Sequence, residues 1–118
     1  NEDSKHPVVK DVFGGKNFTI KDELYQYKDF DRAKNRVLLA LDMSHEENLK
    51  RKGNRADNDY ALAWLKKYGK GRVFVSSFGH NKEVFYNPEI LKMWTEGFRY
   101  VLGEVDVDTV SVPKPAAQ

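Results

Sequence analysis

No cysteine occurs anywhere in the chain, which removes disulfides, thiolate metal ligands and thiol nucleophiles from its chemistry. The same absence leaves the compartment open: cytoplasmic, periplasmic and secreted settings all fit. Long apolar runs are missing too. The runs present, such as Val37 to Leu41, fall far short of the ~20 residues a bilayer crossing needs, so no membrane span is expected. Nor does one sign of charge dominate. With 20 basic and 18 acidic residues the net charge is +2, without the basic excess of a phosphate-binding domain, and nucleic acid is not an expected partner. Proline is scarce, and two of the four prolines lie in the final stretch "VPKPAAQ". What remains is 118 residues, 40% hydrophobic and 32% charged, the profile of one soluble globular domain.

The apolar residues that are present cluster in short runs. "RVLLALD", Arg36 to Asp42, is continuous enough for a strand covered on both faces, which points to an α/β sheet. Arg72 to Ser77, "RVFVSS", reads as a second strand. Between them, Met43 to Asp59 is polar and reads as a solvated loop; its Lys50, Arg51, Lys52 and Arg55 offer a polyanion contact as the alternative. "YALAWLKKYGKG" fits two patterns. As a helix it aligns Tyr60, Ala61, Trp64, Leu65 and Tyr68; as a strand it leads through a "YGKGR" turn into Arg72, making a hairpin. The opening residues and "TIKDELYQYKDF" show neither helical nor strand period. Near the end the signals sharpen. Asn87 is an N-cap, Pro88 suits the first helical position and Gly103 closes the last turn, with Ile90, Leu91, Trp94, Phe98, Val101 and Leu102 expected on the buried face. After Gly103, "EVDVDTVSVPKPAAQ" reads as an extended tail or linker.

Two short motifs carry chemistry. "SSFGHN" ends a strand at Gly79, His80 and Asn81, and ligands in open α/β sheets sit beyond the carboxyl ends of strands. An imidazole there can exchange protons near neutral pH, although a backbone hydrogen bond is the plainer role. Asn81 could hold a hydroxyl of a ligand or form an Asx-turn. "DELY" places Asp22, Glu23 and Tyr25 together, two carboxylates and a phenol suited to gripping sugar hydroxyls or sharing a metal ion, unless Leu24 simply anchors a surface loop. His6 before Pro7 is a further candidate contact. The histidines at 6, 45 and 80 have no zinc-binding spacing, and metal and cofactor stay open. Trp64, Trp94 and Phe98 could stack on sugars, but on amphipathic elements such residues belong to the core.

"HPVV", "DELYQY", the run "YALAWLKKYGKGRVFVSSFGHNKEVFYNP" and the final amphipathic helix together resemble the ThuA-like family, named for trehalose utilisation, from about His6 to Gly103. The resemblance implies a variant of the class I glutamine amidotransferase-like fold: a flavodoxin-like, three-layer α/β sandwich around a parallel sheet. It implies a strand at Tyr60 to Lys67, hence the hairpin. It also implies that residues 1–103 are the C-terminal part of such a domain, with residues 104–118 a tail, and that the rest of the domain or a homo-oligomer partner completes it. An uncovered "RVLLALD" would then be an exposed apolar edge. By the same resemblance His80 matches the strand-end general base of the amidotransferase superfamily, where a glutamate two residues on orients the ring. Here the nearest is Glu83, three residues on, and no cysteine nucleophile exists, so amidotransferase chemistry is not expected. The implied ligand is a glycoside or oxidised sugar, handled by acid–base chemistry at His80 and Glu23 with Asn81, Asp22, Tyr25 and His6 as contacts. The rival reading is a non-catalytic sugar-binding or interaction module on a degenerate fold.

Overall fold

The computed structural model describes residues 1–116. After two short 3-10 turns, Val12–Gly15 and Arg32–Lys34, the elements are β1 (Arg36–Ala40), α1 (Glu46–Lys50), β2 (Ala61–Tyr68), β3 (Gly71–Ser76), α2 (Lys82–Phe85) and α3 (Pro88–Leu102). The three strands form one sheet in the order β1-β2-β3, antiparallel throughout. A parallel sheet is thus not what the described residues contain. The reason is local: Tyr68 pairs with Gly71, and the two residues between them, with Gly69 at φ 58°, can only reverse the chain. That settles the ambiguous "YALAWLKKYGKG" as a strand and hairpin turn.

β1 and β2 are buried on both faces, as the apolar run predicts. On one face Leu38, Leu62 and Leu65 join Val8, Val9 and Val12 of the opening segment and Ile90, Met93 and Tyr100 of α3. On the other, Val37, Ala61 and Trp64 are covered by Tyr27 and Phe30, whose rings meet the indole edge-on. "RVLLALD" is therefore no exposed edge. The opening segment lies along it, with the Glu2 amide donating to the Leu38 carbonyl at 2.9 Å.

Two arginines tie this arrangement together. Arg32 reaches Glu2 at 2.7 Å and Asp59 at 2.6 Å, all three side chains nearly buried, and Arg36 reaches Asp3 and Asp108 at 2.7 and 2.9 Å. Through Asp108 the segment after Gly103 is tied to Arg36, with its own Val107 buried. The Met43 to Asp59 stretch, expected as loop throughout, contains the single-turn helix α1, where Lys50 pairs with Glu46 and Glu47.

α3 begins and ends where its caps place it. The Asn87 carboxamide oxygen accepts from the Glu89 and Ile90 amides, Pro88 follows, and Gly103 takes a φ of 78°. Its buried face differs from the expected one. Ile90, Met93, Gly97 and Tyr100 point inward, whereas Leu91, Phe98, Val101 and Leu102 are exposed. The sequence carries an apolar arc wider than one neighbour can cover, and Gly97, lying against the Phe74 ring, marks the line of closest approach.

Candidate functional site

Three features deliver His80 to the surface beyond β3. Ser76 and Ser77 end the strand with hydroxyls rather than bulk. The Trp94 indole donates to Ser76 Oγ at 2.9 Å, and Ser77 Oγ lies 2.9 Å from the Tyr27 hydroxyl. Gly79 then turns the chain at φ 118°, a conformation that suits only glycine, and a side chain there would press on the Phe85 ring. α2 and α3 follow at once.

The irregular segment carrying "DELY" crosses this exit and is pinned to it. The Asp22 carboxylate accepts from both the Gly79 and Asn81 amides, at 2.7 and 2.8 Å, while Asn81 Nδ2 donates to the Lys21 carbonyl at 3.1 Å. Leu24 packs against the core and fixes the segment's depth. Glu23 is thereby left facing outward, with its Oε2 3.0 Å from His80 Nε2. The two motifs singled out in the sequence thus meet in space. Glu23, distant in the chain, is the carboxylate beside the imidazole.

The pair is half open to water, His80 at 49% and Glu23 at 59% side-chain exposure. Such a pair can accept and return a proton while the carboxylate holds the ring. Beside it opens a cleft of ≈ 700 Å³, within the range of small-molecule sites. One wall is the strap from Asn17 to Gln26; the other is the exit of β1, Leu39 to Asp42, with His45, Asn48 and Arg51 of the α1 region; Leu62 and Phe78 also line it. Asp22 and Phe78 belong to its lining, whereas His80 and Glu23 stand outside it. The Asp42 carboxylate accepts from the Ser44 hydroxyl and amide, which hold its pKa below the usual value.

Not every expected residue joins this site. His6 is buried, its Nδ1 accepting from the Val8 amide at 3.3 Å and its Nε2 2.9 Å from the Asp108 carbonyl. Both ring nitrogens are taken by main-chain groups, so in this structure it ties the segment after Gly103 to the opening segment. Burial pushes its pKa down. Tyr25 is exposed and makes none of the hydrogen bonds that join the two motifs. Trp94 packs against the core cluster and Trp64 is buried, whereas Phe98 is exposed on α3. Among the described residues no group of three or more His, Asp or Glu side chains could hold a metal ion, and no helix is long and apolar enough to cross a membrane. The cleft's far wall went unnoticed in the sequence. Its only signal was the apolar β1 run ending at Asp42 before a polar loop.

A family model described as ThuA, trehalose utilisation, matches residues 1–101. No curated protein and no solved structure matches the chain.

Proposed function

The chain belongs to the ThuA family of trehalose utilisation, in carbohydrate metabolism, and from that premise we propose that it binds a sugar reaching from the cleft to the His80 and Glu23 pair beside it, which transforms it by acid–base chemistry. The observation that carries the proposal is the 3.0 Å contact between the imidazole and the carboxylate, made by two segments far apart in the chain. Glu23 orients the ring and His80 exchanges the proton. Asp22 is a positioning residue, since its carboxylate holds the turn that presents His80. The ligand is a glycoside or an oxidised sugar. Asn48, Asp42 and Arg51 at the wall of the cleft offer partners to hydroxyls. We assign the chain by the same membership to the flavodoxin-like α/β class, its sheet continuing beyond the three strands described.

Turnover of a panel of glycosides and oxidised sugars tests this reading. His80→Ala and Glu23→Gln are each expected to lower kcat by about 100-fold or more, the scale of a lost general base. If both variants turn over substrate like the parent, the mechanistic assignment fails. The half-open setting of the pair favours one alternative, a sugar-binding module without catalysis. Calorimetry separates the two: binding that saturates with no turnover across the panel supports the module.

A further inference from the structure

β1 and β3 each pair antiparallel with β2, so they run in the same direction and leave the sheet at one end. The cleft lies at that end, between the strap that begins at Asn17 and the α1 region. Six ionisable side chains line it: Lys21, Asp22, Asp42, His45, Glu47 and Arg51. The three carboxylates already have donors within the chain. Asp22 accepts from the Gly79 and Asn81 amides, one on each oxygen, Asp42 Oδ1 accepts from the Ser44 amide and hydroxyl, and Glu47 lies 3.2 Å from the Lys50 ammonium. His45, when protonated, is opposed by the Asp42 carboxylate beside it. The Asn1 amino group, on the same lining, donates to Asn17 Oδ1 at 2.8 Å. Lys21 and Arg51 differ from all of these. Among the described residues neither is paired with a carboxylate. They come from opposite walls, Lys21 from the strap and Arg51 from the C-cap of α1. Lys82 and Glu83, the charges that follow the His80 turn, lie outside the lining.

We propose that the ligand of this cleft is an anionic sugar, the acid form of an oxidised sugar or a sugar phosphate, with its charged group held by Arg51 and Lys21. The proposal rests on the sugar-binding reading above and narrows its substrate class. Its basis is the contrast between the two signs of charge: the acids of the cleft are partnered by the chain itself, and the two cations are left for something else. A neutral sugar would fill the space and leave both cations without a counter-charge. An anionic one supplies it inside a concave site whose lining includes Leu39, Leu62 and Phe78, where a charge-assisted hydrogen bond is stronger than in open water. The two cations divide the task. The guanidinium is a planar fork that matches two oxygens of one carboxylate or phosphate, and the ammonium adds a compact charge from the other wall.

Titration calorimetry of the purified chain with glucose, glucuronate and glucose 6-phosphate provides the test. At least one of the two anionic sugars is expected to bind about tenfold or more tightly than glucose, with an affinity that falls as salt rises. The better of the two tells whether the group is a carboxylate or a phosphate. Arg51→Gln should remove most of that preference and Lys21→Gln part of it, both at exposed positions, with far-UV circular dichroism reporting that each variant is folded. Lys52→Gln removes the same charge outside the cleft and should leave the preference in place. Glucose binding as tightly as both anions overturns the inference and leaves the sugar-binding reading standing. A preference that survives Arg51→Gln and Lys21→Gln together, or that Lys52→Gln lowers equally, overturns it as well. Absence of binding by all three sugars overturns both the inference and the reading beneath it.

Discussion

Asp22 shows how much one side chain decides. Its carboxylate is the partner of two backbone amides in the turn after β3, and through them it sets the distance between Glu23 and His80. Asp22→Ala is expected to cost about 1–3 kcal/mol in chemical denaturation, because two donors lose a charged acceptor, and to separate the His80 and Glu23 resonances in NMR. Asp22→Asn, which keeps one acceptor oxygen, should fall between. His6 gives a pH-dependent outcome. Burial lowers its folded pKa below the ordinary 6.5, so the unfolded chain takes up the proton first. Its contribution to stability is complete above about 6.5 and is lost as the pH falls through that value toward the folded pKa. Calorimetric melting from pH 8 to 5 should show a fall in Tm, and His6→Gln should flatten it. An unchanged slope would remove His6 as its source. At this scale the sequence identified His80, Glu23 and Asp22 as residues with chemical capacity. It could not tell that His6 was a clamp, since the Asp108 carbonyl lies about a hundred positions away and reaches it only by folding.

Among the elements, α3 separates what is local from what is not. Its ends were legible because caps act within three or four residues: Asn87 on the Glu89 and Ile90 amides, Gly103 through a positive φ. Its buried face was not, because an apolar arc broader than its neighbour leaves the choice of side to packing. Gly97 makes that choice visible. A methyl there would strike the Phe74 ring, so Gly97→Ala should lower stability by about 1–3 kcal/mol by overpacking, despite alanine's better helix propensity. Thermal denaturation of Gly97→Ala with and without Phe74→Leu checks the cause: the second change should recover most of the loss. The hairpin was similarly two-valued. "YALAWLKKYGKG" by local pattern matches a helix face slightly better than a strand, and the pairing of Lys66 with Val73 and Lys67 with Arg72 resolves it as the hairpin.

For the whole molecule, Arg32 and Arg36 join segments that are far apart in the chain. Arg32 joins the opening segment to the loop before β2, and burial of its charge is outweighed by the Asp59 and Glu2 carboxylates, which raise its pKa. Arg32→Met would leave two nearly buried carboxylates without a cation and should cost about 3 kcal/mol or more, read from denaturant midpoints. Adding Glu2→Gln and Asp59→Asn should return much of it. Cysteine count, charge balance and short apolar runs by themselves determined an α/β chain without thiol chemistry or membrane-spanning helices, and the local signals of caps and turns determined where α3 begins and ends. Only the tertiary structure decided that the sheet of the described residues is antiparallel, that the opening segment lies along β1, and that Glu23 rather than Glu83 faces His80. The physical reason is range. Caps and turns depend on neighbours a few residues away, whereas an edge or an ion pair depends on which segment crosses which strand, and here that was set by Leu24 in the core and Asp22 on the turn.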